Sequence, residues 1–427
     1  MQIKQCRICA SADLEPILDL GKTALANRFL KRDQLEEPEP FYPLRLTLCG
    51  ACGLVQIDEN VPRELLFTDY IYVSGTSDSV RRHAGWLAQT LGRRYRLDPS
   101  DLVVEAASND GTVLQSLKAL GLRVQGVEPA ANIASRAIEA GIPTLVEFFD
   151  TNSARRLREE QGPAALFLAR HVLAHVTDLH GFVRGIEAVL APNGVAVIET
   201  PHLAALYRKL EFDTIYHEHL CYYSVTALQT LFARFGLKII DVDKIDLHGG
   251  SVLVHAARTA SAHQPTKRVA RVIAEEDDLQ LRQVTAWQRF AEQVEEWRDR
   301  FVPFLDKLIA RGSRLAGYGA PAKGNTLLAY CGIGADRLPY LVDKSPHKQG
   351  LFTPGQHIPV FPVTRLLDDR PDVTLILAWN FAEEIIEQQT DYQRAGGRFA
   401  VPIPSPRLLA AKHDRRRRHS TAPANPG

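Results

Sequence analysis

From Asp101 onward the chain alternates short apolar runs with segments whose apolar residues recur every three or four positions. DLVVEA, RVQGVE, PTLVEFF, AALFLAR and GVAVIET read as five strands alternating with helical patterns, which predicts a parallel sheet with helices on both faces. KIIDVDKI and SVLVHAAR then alternate apolar and polar residues on either side of Asp246-Leu-His-Gly-Gly, the pattern of a hairpin. Beyond Thr259 the chain turns charged and helical. Trp287, Phe290, Val294, Trp297, Phe301 and Leu305, spaced mostly by three and four, form a stripe that reads as core, and Pro303 is expected to kink or divide the helix. A further series, SRLAGYGAPAKGNTLLAY, LPYLVDKSPHKQG, VTLILAWNF and GRFAVPIP, again alternates strands with helices.

Chemistry concentrates in EFDTIYHEHLCYYS, residues 211–224, whose first nine residues crowd a Tyr, two His and three acids between the strand GVAVIET and the capped helix SVTALQTLFARFG. An insertion at the carboxyl end of a strand is where open α/β sheets place their ligands. The turn after the first strand, Glu105 to Gly111, carries small residues and Asn-Asp-Gly, so backbone can approach a ligand at a helix amino end. Glu128 ends the second strand, 23 residues after Glu105, where an acid can accept from both hydroxyls of a ribose. Tyr70, Tyr72, Ser74, Ser77 and His83 are candidates for a polar pocket, against the plainer reading of Tyr70 and Tyr72 as one face of a packed strand. Gly317 to Asn325 is a glycine-rich turn that opens a helix and carries Lys323, suited to a phosphate or diphosphate; it is not a P-loop, because no Ser or Thr follows the Lys.

Six Cys are present, four of them as Cys6-x-x-Cys9 and Cys49-x-x-Cys52. Two such pairs supply four thiolates to one tetrahedral Zn(II), a closed and therefore structural site, in a reducing compartment. The 39 residues between the pairs, 10–48, must then fold around the metal as a small domain. At 427 residues the chain has room for two or three domains, taking about 150 residues for each. Its net charge of +1 gives no field for steering nucleic acid, no run is long and apolar enough for a membrane span, and the start lacks the form of a signal peptide. The basic run Arg415 to Arg418 reads as part of a solvated tail. The expected location is cytoplasmic.

Five parallel strands closed by an antiparallel hairpin resemble the class I S-adenosylmethionine-dependent methyltransferases, and G-x-G-x-x-G, usual in nicotinamide enzymes, is absent. The CxxC pairs, YHEH, HGGS, GYGAPAKGN, DKSPHKQG, TPG and LAWNF together resemble the sugar C-methyltransferases that act on dTDP-linked 4-keto-hexoses. The resemblance implies an α/β protein: a zinc-binding domain (1–65), an S-adenosylmethionine-binding Rossmann-like domain (66–265), and a helical connector with a Rossmann-like domain that does not bind the donor (266–410), before a disordered tail (411–427). It implies S-adenosylmethionine as methyl donor, structural zinc on Cys6, Cys9, Cys49 and Cys52, and a dTDP-linked keto-sugar as acceptor. A monomer or weak oligomer is expected, with no nucleic-acid or membrane partner.

Carried onto this sequence, the family's general base is His219, with Glu218, Tyr216, His175 and Tyr70 beside it. Glu105, Ser108, Asn109, Gly111, Glu128, Phe148 and His171 fall to the donor. Tyr72, Ser74, Tyr222, His248, Ser251, Tyr318, Lys323, Asn325 and Lys344 fall to the acceptor. One departure is Ala107, where the family's E-x-G-S-N-D-G loop has glycine. Three readings compete with this one: HEH as part of a metal site, an RNA or protein methyltransferase that holds its substrate with the zinc domain, and a nucleotide-sugar binding module without activity.

Overall fold

The computed structural model describes residues 2–62, 65, 75, 78–247 and 249–409. Tyr70, Tyr72, Ser74, His248 and the tail 411–427 lie outside the described residues. The chain divides into two compact units, one of Met1–Asp19, Arg45–Leu206 and His217–Gln288, the other of Leu20–Leu44, Tyr207–Tyr216 and Arg289–Gly427. Among the described residues no helix is long and apolar enough to cross a membrane.

The amino-terminal strands are β1 (Leu14–Thr23), β2 (Tyr42–Cys49) and β3 (Val55–Ile57). Helix α1 (Asp78–Arg94) leads into the predicted alternating series: β4 (Leu102–Ala106), α2 (Thr112–Ala119), β5 (Arg123–Val127), α3 (Ala131–Glu139), β6 (Thr144–Leu145), α4 (Thr151–Gln161), β7 (Ala164–Arg170), α5 (Leu179–Val189) and β8 (Leu190–Pro201). After α6 (Leu203–Lys209) come β9 (Cys221–Tyr222), α7 (Val225–Ala233) and the hairpin β10 (Leu237–Ile245) and β11 (Ser251–Arg258). The seven-stranded sheet runs β10-β11-β8-β7-β4-β5-β6, with β4 to β8 parallel and the hairpin antiparallel on the β8 edge. Ala84, Leu87, Ala88 and Leu91 of α1 and Val113, Leu114 and Leu117 of α2 pack on Val103, Leu166, Leu168, Val195 and Val197 of the sheet. These are the apolar positions at helical and alternating spacing that the sequence displays.

One element had no signal in the sequence. Residues 221–222 of the YHEH stretch leave the loop and pair antiparallel with β3, Val55 opposite Tyr222 and Gln56 opposite Cys221, while β2 lies on the other side of β3. A two-residue strand has too short an alternation to be read.

Helix α8 (Lys267–Asp278) precedes α9 (Val284–Ala310). Pro303 lies inside α9, which is not divided there. The missing N–H removes a single helical bond, and Trp297, Phe301 and Leu305 are buried on both sides of it, so packing holds the helix through the proline. The second unit's sheet takes β12 (Leu315–Tyr318), β13 (Leu341–Val342), β14 (Val360–Phe361), β15 (Val373–Ile376), β16 (Arg398–Val401) and β17 (Arg407–Leu408) in the order β14-β13-β12-β15-β16-β17. It is parallel except for β17, and α10 (Ala322–Cys331) opens just after the glycine-rich turn.

Candidate active site

In the zinc-binding segment, Cys6 and Cys52 stand 3.4 Å apart and Cys9 and Cys49 3.5 Å apart, with all four sulfurs within 4.8 Å of one another. Tetrahedral Zn–S bonds of about 2.3 Å place sulfurs about 3.8 Å apart, so the donor set and its spacing fit a closed Zn(II) site. The same turns are tied to the rest of the unit. Arg7 N–H donates to Gln56 Oε1 at 2.9 Å, and the Ile8 carbonyl accepts from His180 Nε2 of α5 at 2.8 Å.

The loop after the first strand of the parallel series is built from backbone constraints. Between β4 and α2 the chain turns through Ala107 (φ +50°), Asn109 (φ +52°) and Gly111 (φ +74°). Glu128, at the end of β5, accepts the N–H of Asn109 on one carboxylate oxygen and that of Ala130 on the other, each at 2.9 Å. Burial raises the pKa of Glu128 and the two N–H donors oppose the rise. Burial pushes the neighbouring Glu105 up to about 8 against the pull of Arg170, whose Nη1 lies 3.8 Å from Oε1. Glu105 Oε2 and Ser108 Oγ are buried with no hydrogen-bond partner among the described residues. Two orphaned polar atoms beside a preformed loop fit a ligand that brings its own hydroxyl and ammonium groups. Gly126 keeps the backbone bare next to them: a Cβ there would stand 2.6 Å from Ser108 Oγ.

Glu199 at the end of β8 escaped the sequence reading. It is fully buried and accepts from His171 Nε2 at 2.8 Å on one oxygen, and from His83 Nε2 at 2.9 Å and Arg170 Nε at 3.2 Å on the other. Burial alone would raise its pKa, but Arg170 and the two imidazoles hold the carboxyl well below its ordinary range, so it is ionised. The available signal was the one used for Glu128, an acid at the carboxyl end of a predicted strand.

His175 and His219 meet because backbone bonds bracket them. Leu220 N–H donates to the Ala174 carbonyl at 2.7 Å, and Ile57 N–H of β3 donates to the Leu220 carbonyl at 3.1 Å. The two imidazoles pack edge to face with centroids 4.8 Å apart, and Tyr222 stands 6.1 Å from His219 in the same manner. Burial pulls His175 down to about 4, against hydrogen bonds to the backbone of Glu218 and His171, so its ring is neutral at pH 7. Glu218 is buried.

The remaining candidates are divided between the two units. Phe148 is half exposed, and Ser251 is buried at the start of β11 with its hydroxyl on the Leu247 carbonyl at 3.1 Å. Tyr216 and the glycine-rich turn belong to the second unit. There Asp343 Oδ2 accepts the N–H of Ala320 at 2.7 Å, and Lys323 Nζ lies 4.4 Å from the centre of the Trp379 ring. The Trp379 indole N–H donates to Asp213 Oδ2 at 2.7 Å. Asn325 is buried and donates to the Ala26 carbonyl at 2.7 Å, Tyr318 is pushed up to about 12 by burial, and Lys344 reaches Gln388 at the surface.

Three family profiles match the chain: a putative zinc binding domain over residues 6–67, a methyltransferase domain over 80–242 and a C-methyltransferase C-terminal domain over 246–404. The C-methyltransferase NovU of Streptomyces niveus is 36% identical over 410 residues, which covers 96% of this chain and 98% of the relative. Among solved structures, the mitomycin 7-O-methyltransferase MmcR is 17% identical, covering 43% of this chain and 55% of its own, with a TM-score of 0.33. The PH0226 protein of Pyrococcus horikoshii OT3 is 14% identical, covering 47% and 100%, with a TM-score of 0.35. S-adenosylmethionine is the methyl donor, and the zinc held by the four thiolates is structural. Its near full-length match to the Streptomyces relative places the chain in the C-methyltransferase family.

Proposed function

We propose that the chain methylates a carbon next to the ketone of a nucleotide-linked 4-keto-deoxyhexose, the nucleotide being dTDP, with His219 as the base. The observation that carries this reading is the His175–His219 pair, two half-buried imidazoles packed edge to face with centroids 4.8 Å apart, the His175 ring kept neutral by desolvation. A ketone acidifies the adjacent C–H without ionising it at pH 7, so carbon attack needs a base placed on that proton. An imidazole, whose ordinary pKa is about 6.5, suits the task.

His219 takes the proton and leaves an enolate, whose oxygen receives a hydrogen bond from Tyr222 or Tyr216. A preorganised donor at that oxygen contributes roughly 3 kcal/mol. Glu218, buried next in sequence to the base, supports it. The enolate carbon accepts the methyl group that S-adenosylmethionine supplies when bound, and His219 returns its proton to solvent. Glu105, Ser108, Asn109, Gly111, Glu128, Phe148 and His171 hold the donor. In the second unit, Tyr318, Lys323, Asn325 and Lys344 are the residues proposed for the nucleotide.

The test is proton exchange, followed by NMR in D2O with dTDP-4-keto-6-deoxyhexoses, with and without S-adenosylmethionine. Loss of the signal beside the ketone, abolished by His219→Ala while calorimetry still shows sugar-nucleotide binding, is the expected result. A His219→Ala protein that still turns over refutes the base. Donor binding without any exchange refutes the acceptor.

A further inference from the structure

Four thiolates outweigh one Zn(II), so the filled cysteine site carries a net double negative charge, and Cys6, Cys49 and Cys52 of that site are buried. A buried anion is costly unless a cation stands near it. Backbone supplies dipoles only, such as the N–H of Ile8, which donates to Cys6 Sγ at 3.4 Å. Asp13 lies against Gly50 and Arg282 against Gly53 of the second cysteine turn, but both are exposed and screened by water. Asp13 in any case adds to the negative excess.

Arg7 is the cation on the inside. It stands between Cys6 and Ile8 in the first cysteine turn, and its N–H donates to Gln56 Oε1 at 2.9 Å. Its guanidinium Nε and Nη2 are closed off from solvent without a hydrogen-bond partner, and no ion pair joins it to a carboxylate among the described residues. A guanidinium is charged at every working pH. The Cys221 thiol of β9 is within reach of both charges: burial pushes it up to about 11, Arg7 opposes the rise and Cys6 adds to it.

The filled cysteine site lacks a buried cation, and the neighbouring buried guanidinium lacks an anion. We infer that Arg7 is the counter-cation of the zinc centre: its guanidinium offsets the charge of the four thiolates and so raises their affinity for the metal. The inference rests on zinc in the thiolate site and not on which molecule is methylated.

Arg7→Met keeps the apolar stem and removes the charge, whereas Arg7→Lys keeps the charge. Competition with a chelator of known affinity, on the full chain, should show zinc held roughly tenfold to a hundredfold more weakly by Arg7→Met. Arg7→Lys should recover most of that loss, to within about fivefold of wild type. Arg282→Met removes the same charge from the exposed side and should stay within about twofold.

Thermal unfolding with and without metal separates charge from packing. With zinc bound, Arg7→Met should unfold at a lower temperature than wild type. After chelation at pH 7 the thiols are largely protonated, wild type is left with an uncompensated guanidinium, and the order should vanish or reverse. Zinc affinity within about twofold of wild type in Arg7→Met overturns the inference. An Arg7→Lys protein that holds zinc no better than Arg7→Met overturns it too, as does equal destabilisation of Arg7→Met with and without metal. If Arg7→Met does not fold, Arg7→Lys decides alone, and zinc binding more than about tenfold weaker than wild type refutes the role of the charge.

Discussion

Glu128 accepts the backbone N–H of Asn109 at 2.9 Å, so the acid at the end of one strand braces the loop that leaves the neighbouring strand. The same carboxylate takes the N–H of Ala130, and both oxygens are engaged before any donor molecule arrives. Glu128→Ala therefore removes the brace together with the proposed contact to the donor. Two N–H groups lose their acceptor, at about 1–3 kcal/mol for each one left buried. Denaturant unfolding should show a loss of about 2–4 kcal/mol, and calorimetry a drop of more than tenfold in S-adenosylmethionine affinity. Full stability with reduced affinity would mean that the brace is dispensable.

Ala107 occupies φ +50°, a conformation that suits glycine better than alanine. The left-handed conformation costs an alanine about 1–2 kcal/mol, and glycine gives back roughly 0.5–1 kcal/mol of that through its freer unfolded state. Ala107→Gly should accordingly raise stability by up to about 1 kcal/mol and leave the loop geometry unchanged. Ala107→Val should lower stability by more than 1 kcal/mol, since a branched Cβ is worse still in that region. Thermal unfolding of the two variants side by side checks the order.

Zinc is linked to the proposed base through the chain rather than by contact. The metal turn holds Gln56 through Arg7, Gln56 of β3 pairs with Cys221 of β9, and Cys221 lies two residues beyond His219. Chelation, or Cys49→Ser, should reduce kcat at least tenfold while S-adenosylmethionine still binds, because the donor loop sits on the other sheet. Metal content by atomic spectroscopy together with calorimetry separates this from global unfolding.

How far the sequence reached depends on how local each signal is. The strands β4 to β8 and the hairpin were legible because their alternation spans five or more residues, and Glu128 was legible because it ends a strand at a fixed distance from a turn. Glu199 was not, since what makes it special is three partners at positions 83, 170 and 171, joined only by the sheet. The YHEH stretch illustrates both cases. Its density of titratable groups marked it, yet Asp213 turns to Trp379 while His217, Glu218 and His219 belong to the other compact unit. Nothing in the spacing of residues 211–219 separates the two sets.

His175 gives stability a defined pH window. Its pKa lies at about 4 in the folded protein, below the ordinary 6.5, because burial disfavours the imidazolium. Between those values the unfolded chain binds the proton and the folded chain does not. The contribution is therefore complete above pH 6.5 and lost as pH falls from 6.5 to 4, a total of about 3 kcal/mol. Glu105 acts in the opposite sense: its carboxyl is raised from 4.5 to about 8, so its burial weakens the fold as pH rises across that range. Comparing His175→Gln with wild type by denaturant titration at pH 7 and pH 4.5 cancels the Glu105 contribution. The variant should lose less stability than wild type on acidification, and parallel losses would exclude His175 as the cause.

Asp213 and Lys323 form the last test, confined to the second unit. Asp213 is fully buried and pushed up to about 6 by burial, against the pull of Lys323 and the indole N–H of Trp379. Lys323 is lowered by burial, opposed by Asp213 and Glu211. Each charge is retained because the other is present, and the Trp379 ring supplies Lys323 with a second attraction. Removing one partner strands the other, so Lys323→Met or Asp213→Asn alone should cost about 3–5 kcal/mol. Removing both takes away the desolvation penalty along with the attraction, and the double variant should return to within about 1 kcal/mol of wild type. Denaturant unfolding of the four proteins closes the cycle. Additive losses would show that the two side chains stabilise the unit independently, and full stability of the double variant with lost turnover would assign the pair to substrate handling.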